Sequence, residues 1–276
     1  MCYAIPGKVI EINDGTVTVE YFGEKRKARN EFLDIKVGDY IYAQGGFVID
    51  RVGEKEALET LSAWKELFVE LKKIDLRLSR VTSEEEIEKD FSRIIDKVTE
   101  GKPLSRDELL KLLETENEKE LDLLYRSANF LRQKHLSNAC CVHGIIEFSN
   151  HCIRDCLYCG IRKSNNKLKR YRMSREEIVD AADYAVNKLG FKALVLQSGE
   201  DPFYTKEELI KLIKLIKERC AVFLIVSMGG REIEIYKGMY EAGARGALLR
   251  FETSNPVLYE KLHPGQDFEG RIKLLK

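Results

Sequence analysis

Two hydrophobic rhythms run along the 276-residue chain, and the first is short. In the opening fifty residues, apolar positions come in brief bursts separated by Gly, Asn and Asp. Val9, Ile10 and Ile12 lie in a first strand. Residues 16–20 (Thr-Val-Thr-Val-Glu) alternate with β-branched side chains, as a half-buried strand requires. Asn13-Asp14-Gly15 between them tolerates positive φ and reads as a hairpin turn. Gly38-Asp39 introduces a strand over residues 40–43, and Gly45-Gly46 separates it from Phe47, Val48 and Ile49. Short strands with glycine turns predict a small all-β, OB-like barrel.

From Glu54 the period becomes helical, with Ala57, Leu58, Leu61, Trp64, Leu67, Phe68 and Leu71 in register. A second helix is expected over residues 83–98, opened by a capping box from Ser83 to Glu86. Gly101-Lys102-Pro103 breaks it. Ser105 and Glu108 open a third helix, and residues 118–134 form a fourth. After residue 142 strands and helices alternate. Strands are expected over 142–148, 193–197, 222–226 and 247–251, with helices over 174–189, 205–218, 232–242 and from 256. Four strand–helix units imply parallel strands joined by right-handed crossovers. The fold class is therefore α/β, a partial (β/α) TIM-type barrel of about four strands behind the small barrel and helices. The expected units are residues 1–72, a helical linker over 73–100, and a main domain over 101–276. Loops after such strands are where chemistry concentrates.

Composition narrows the function classes. The 46 basic and 46 acidic residues cancel, so the electrostatic footprint of a nucleic-acid binder is missing. The longest apolar run, residues 220–226, is far below the ~20 residues of a membrane span. No basic stretch followed by an apolar run opens the sequence, so no secretory signal is visible and a cytoplasmic location is expected. The seven cysteines are odd in number, and five of them fall within residues 140–159. Clustered reduced thiols point to a metal or redox site.

The sharpest signal is Cys152-Ile153-Arg154-Asp155-Cys156-Leu157-Tyr158-Cys159, directly after an expected strand. Three thiolates on one short loop suit three corners of a cubane iron–sulfur cluster, leaving one iron open to chelate S-adenosylmethionine (SAM). The alternative is a zinc tetrahedron closed by a histidine such as His151. The x3 spacing of one pair and the strand-then-loop position favour the cluster. Cys140 and Cys141 are expected to pack at the start of the first strand of the main domain, with a fourth-ligand role as a lesser alternative. Cys220 reads as core. His135, His143 and His263 read as lone histidines without a ligand role. The basic run Arg162, Lys163, Lys167, Lys169 and Arg170 reads as a solvated face that could attract anions.

The cysteine spacing and Tyr158 resemble the radical SAM superfamily. Further motifs narrow the resemblance to HydE-like maturases of [FeFe]-hydrogenase: Ile146-Glu147-Phe148-Ser149-Asn150, Arg170-Tyr171-Arg172-Met173, Leu196-Gln197-Ser198-Gly199-Glu200-Asp201-Pro202 and Leu249-Arg250-Phe251-Glu252-Thr253. Biotin synthase and methylornithine synthase share the general layout. The resemblance implies a [4Fe–4S] cluster on Cys152, Cys156 and Cys159. It implies SAM binding by Tyr158, Ser198, Gly199, Glu200, Arg250, Glu252 and Arg271, with Gln197 facing substrate. A carboxylate at position 200 suits the SAM ammonium. Arg250 and Glu252, two apart at the end of the fourth strand, are expected to share a face.

The N-terminus, Met1-Cys2-Tyr3-Ala4-Ile5-Pro6-Gly7-Lys8-Val9, is similar to the HypC/HupF hydrogenase-assembly chaperones. Gly38-Asp39-Tyr40, Gly45-Gly46-Phe47 and Glu56-Ala57-Leu58-Glu59-Thr60 continue the match. That family implies loss of Met1 and an iron–carbonyl–cyanide fragment on the Cys2 thiolate. Its usual histidine is replaced here by Gln44, which cannot supply imidazole. Together the two resemblances imply hydrogenase maturation proteins or a hydrogenase precursor as partners, and a small iron-containing or small-molecule substrate. The balanced charge and the short apolar runs imply no nucleic-acid and no membrane partner. Radical SAM catalysis leads. The alternatives are a non-catalytic maturation scaffold or metal carrier, and a related biotin synthase-like reaction. Four strands are about half a complete barrel, so an open edge and an uncovered apolar interior are expected.

Overall fold

The alternating first fifty residues fold into five strands: β1 (Gly7–Asn13), β2 (Thr16–Tyr21), β3 (Glu24–Arg29), β4 (Tyr40–Gln44) and β5 (Phe47–Val52). They close in the order β1-β2-β3-β5-β4. The computed structural model describes residues 3–80, 87–137 and 142–276. Cys2, the expected capping box at Ser83–Glu86, Cys140 and Cys141 lie outside the described residues. The β1–β2 turn uses Asp14 and Gly15 at φ 45° and 73°, as the sequence suggests. The periodicity does not announce β3 (Glu-Lys-Arg-Lys-Ala-Arg), whose only buried residue is Ala28. It is held by register-for-register pairing with β2. Val9, Val17, Val19, Tyr21 and Ile41 fill the interior.

Helix α1 (Glu54–Leu78) lays Phe68 against Tyr3 and Phe22 at the barrel. Much of its predicted apolar stripe stays exposed, including Leu58, Trp64, Leu67 and Leu71. Helices α2 (Lys89–Thr99), α3 (Arg106–Glu114) and α4 (Glu118–Leu136) share a second core around Phe91, Ile94, Ile95 and Leu123. Ser105 and Glu108 form the expected capping box on α3. Asp75 on α1 is tied to Asn129 and Arg132 on α4.

The main domain is one parallel sheet in the order β6 (Gly144–Ser149), β7 (Ala193–Ser198), β8 (Phe223–Ser227), β9 (Gly246–Ala247). Helices α5 (Arg175–Asp183), α6 (Lys206–Arg219) and α7 (Ile233–Glu241) follow the first three strands, and α8 (Pro256–Leu262) and α9 (Phe268–Leu275) the last. A π-turn at Tyr184–Lys188 extends α5. Ser174 and Thr205 cap α5 and α6. Residues of β6–β8 and α5–α7 enclose the largest core, which includes the buried Cys220. The fourth strand is shorter than expected: only Gly246–Ala247 pairs with β8. Arg250 and Glu252 therefore sit on the loop beyond it. Glu252 has φ 63°, so strand alternation is not what brings that pair together.

The other face of the sheet is layered. Register aligns Glu147, Gln197 and Ser227 on one rung, and Ile145, Val195 and Ile225 on the next toward the strand starts. Ala193 and Phe223 form the bottom rung. There Tyr42 and Ile49 of the N-terminal barrel bury Ala193 and Phe223, with Phe47 and Ile225 at the margin. Gly45, at φ +57°, must be glycine in part because a Cβ would meet the Phe223 ring at 2.5–2.9 Å. Arg245–Glu31 (2.6 Å) and Lys192–Asp50 (3.8 Å) flank this contact. The expected bare interior is thus covered at its base. Higher up it stays open, with Ile145 59% exposed. Gln44, buried, donates from Nε2 to the Tyr3 carbonyl at 2.9 Å, anchoring the strand entry beside position 2.

Candidate functional site

A cavity of about 430 Å³ opens beyond the carboxyl ends of the strands, opposite the N-terminal barrel. Its wall brings together Cys152, Cys156, Tyr158, Cys159, Gln197, Ser198, Gly199, Glu200, Arg250, Glu252 and Arg271. These are all the candidate residues of the main domain, drawn from the cysteine loop, the end of β7, the loop after β9 and helix α9.

The cysteine loop is fixed by backbone bonds. Ile153 N donates to Glu200 O (3.1 Å), Cys159 N to Cys156 O (3.0 Å) and Leu157 N to Leu262 O (2.9 Å). Gly199 lets β7 run against this loop, since a Cβ there would strike His151 O and Cys152. Arg170, read from sequence as part of a solvated face, turns inward. It donates to Ile161 O (2.8 Å) and Arg162 O (2.7 Å), bracing the far end of the loop.

All three thiols are free and half-buried. Cys152 Sγ accepts from the backbone N–H of Arg154 and of Glu200, each at 3.4 Å. Cys156 Sγ accepts from Gln266 Nε2 at 3.3 Å. Burial, reinforced by the neighbouring Cys152 and Cys159, pushes the Cys156 thiol up, while Gln266 pulls it back. Thiolates gathered this way repel one another until a cation joins them. Among the described residues no three His, Cys, Asp or Glu side chains converge to hold a single metal ion. The three thiols with His151 do not make a tetrahedral zinc set. Soft sulfur donors spread over one cavity wall, already receiving N–H···S bonds, fit a multi-iron cluster.

Glu200 is buried and held by Arg154 through two bonds, Nε–Oε2 at 2.9 Å and NH2–Oε1 at 2.7 Å. This bidentate pair raises the Arg154 pKa further. Arg271 donates to Tyr259 Oη (3.1 Å) and to Gln266 Oε1 (2.6 Å). Arg250 and Glu252 approach to 3.9 Å across the open rim. Tyr158 Oη meets His263 Nε2 at 2.8 Å. The Tyr259 carbonyl lies 2.8 Å from His263 Nδ1 and can only accept. Nδ1 therefore carries the proton, and Tyr158 donates to Nε2. Beneath the cavity Asp201, fully buried, binds Arg172 (2.7 and 3.0 Å) and Ser149 (2.7 Å). Burial opposes its charge, but Arg172, Ser149 and the Phe203 N–H outweigh that and hold the carboxyl below its ordinary value.

Sequence reasoning missed Arg154, His263 and Gln266. Arg154 lies inside the cysteine motif, where a buried carboxylate 46 residues away gave no local sign of needing it. His263 and Gln266 reach the loop from beyond α8. Only a three-dimensional path brings them there.

The small closed barrel joined to a parallel half-barrel with a three-cysteine loop defines a radical SAM-type protein with an appended chaperone-like barrel. Residues 1–64 match the HupF/HypC family and residues 146–276 the Radical SAM superfamily. The hydrogenase maturation factor HypC of Azotobacter chroococcum is 41% identical over 69 residues, 24% of this chain and 82% of that factor. The [FeFe] hydrogenase maturase subunit HydE of Thermotoga maritima is 42% identical over 182 residues, 66% of this chain and 51% of that one. Among solved structures, methylornithine synthase superposes with TM-score 0.62 at 31% identity, covering 66% of this chain and 54% of that one. HydG, a maturase of the [FeFe]-hydrogenase, gives 0.61 at 25% identity, covering 75% and 46%. The chain belongs to the HupF/HypC family through its N-terminal barrel and carries a Radical SAM domain behind it. It spans about half the length of HydE and methylornithine synthase. The superfamily implies an iron–sulfur cluster and SAM. No helix among the described residues is long and apolar enough to cross a membrane.

Proposed function

We propose that this chain is a radical SAM protein of hydrogenase maturation, acting on a small iron–carbonyl–cyanide type precursor. In this reading residues 1–72 carry the iron fragment through Cys2, residues 101–276 do the radical chemistry, and residues 73–100 join them. The observation that carries it is the single cavity walled by the three thiols and by Glu200, Arg250, Glu252 and Arg271. Cys152, Cys156 and Cys159 would hold a [4Fe–4S] cluster. When bound, such a cluster supplies one electron that cleaves SAM to methionine and a 5′-deoxyadenosyl radical able to abstract hydrogen from a substrate.

The chain's own residues prepare the site. Glu200 presents a carboxylate to the SAM ammonium, and Arg154 orients it through two bonds. Arg271 and Arg250 offer cationic partners to a carboxylate. Tyr158, fixed by His263, presents its ring for the adenine. Gln197, bonded to Glu147 at 3.0 Å, faces the substrate side of the cavity.

A second reading, a non-catalytic scaffold or metal carrier, draws on the open upper part of the inner face, where Ile145 and Leu248 are exposed. Reductive cleavage separates the two. Reconstituted protein with dithionite and SAM should release methionine and 5′-deoxyadenosine, quantified by mass spectrometry. A chain that binds a cluster but yields no 5′-deoxyadenosine above the protein-free control supports the scaffold instead.

A further inference from the structure

The segment after β9 clamps the cysteine loop at three points. Leu262 O accepts Leu157 N at 2.9 Å, His263 Nε2 accepts Tyr158 Oη at 2.8 Å, and Gln266 Nε2 reaches Cys156 Sγ at 3.3 Å. The third ends on a cysteine sulfur. Its direction is imposed from behind. Arg271 donates to Gln266 Oε1 at 2.6 Å and is itself held on Tyr259 Oη. A flipped amide would set N–H against guanidinium and oxygen against sulfur. The amide therefore has one orientation, with N–H toward Cys156.

We propose that Gln266, oriented by Arg271, is a positioning residue that tunes the electron density on the Cys156 sulfur and so raises the reduction potential of the cluster. An N–H donor draws charge from a ligating thiolate and favours the state carrying the extra electron. The proposal rests on the cluster reading above and adds which side chain adjusts it.

The test is a redox titration of the anaerobically reconstituted full-length chain, followed by electron paramagnetic resonance. Gln266→Met keeps the length and removes the N–H. Gln266→Glu replaces the donor with an acceptor. The midpoint should move to more negative values in Gln266→Met and further in Gln266→Glu. Asn165→Ala removes a brace of the same loop, Nδ2 to Gly160 O at 2.8 Å, without touching a sulfur, and should leave the midpoint at the wild-type value. Unmoved or positive midpoints in the Gln266 variants overturn the proposal. So does an equal shift in Asn165→Ala, which would trace the effect to loop position. Gln266 variants that assemble no cluster overturn it too, because a tuning bond is not an assembly requirement. A wild-type chain that takes up no cluster overturns the cluster reading itself, and the proposal with it.

Discussion

The two ends of the parallel sheet are built to opposite rules. At the carboxyl end β6, β7 and β8 finish in serines, the loops carry thiols and charges, and the surface folds into a cavity. At the amino end Ala193 and Phe223 are buried under Tyr42 and Ile49 of the N-terminal barrel. One end is specified by hydrogen bonds that aim side chains, the other by apolar contact that excludes water. The inner face grades between them in two residues per step, from Phe223 through Ile225 to Ser227 on β8. The site therefore sits on a rigid sheet whose base is closed by another domain. The barrel's docking surface faces away from the cavity it is proposed to serve.

Substitutions should separate the two ends. The largest effect belongs to the thiols. Replacing Cys152, Cys156 and Cys159 together with Ala should reduce bound iron after reconstitution by at least roughly tenfold. Far-ultraviolet circular dichroism should be unchanged, because these side chains are half-exposed. At the other end, Phe223→Asp puts a carboxylate against Tyr42 and Phe47. It should cost about 3–5 kcal/mol in denaturant unfolding, since an unpaired charge replaces a buried ring. Iron bound per folded molecule should stay near wild type. A parallel loss of iron would mean the ends are coupled.

A smaller effect is expected at Arg154→Met, which strands the buried Glu200. Arg154 is 36% exposed on its side chain, so solvent screening reduces the loss to about 1–2 kcal/mol. Adding Glu200→Gln should recover most of that stability in a double-mutant cycle. The smallest effect is the pH dependence under the cavity. Asp201 has a depressed carboxyl pKa, so its stabilisation is present above the ordinary carboxylate value of about 3.9 and is lost as pH falls through the folded value. Asp201→Asn should flatten the acid limb of the stability curve, measured by urea unfolding between about pH 5 and 2. Phe223→Leu, at the uncharged end, should lower the curve without changing its slope.

What the sequence made legible follows the same division. Hairpin turns, caps and the period-two and helical patterns rest on neighbours along the chain, and most of these elements formed near their expected bounds. The exceptions are the second helix, which begins only at Lys89 after a non-helical Glu88, and the fourth strand of the main sheet, which pairs only over Gly246–Ala247. The thiol motif is local and was readable as chemistry. Strand β3 was invisible because its charged side chains face solvent and its pairing is supplied by β2. Helix α1 has a core-like stripe, yet only Ala57, Phe68 and Asp75 on it are buried. Arg250 and Glu252 reach the cavity by a loop with positive φ at Glu252 in place of strand alternation. Arg154, Gln266 and His263 needed the fold, since each partner lies far away in sequence. The barrel seated under Phe223 was equally unreadable, because a glycine turn at Gly45 says nothing of the ring that fills its missing side chain.

The central claim is that the cavity at the carboxyl end holds an iron–sulfur cluster beside a SAM site. Anaerobic reconstitution with iron and sulfide, followed by electron paramagnetic resonance of the reduced protein with and without SAM, tests it most directly. The account predicts a [4Fe–4S] signal that changes on adding SAM. A signal indifferent to SAM, or a protein that takes up zinc and no cluster, would contradict it.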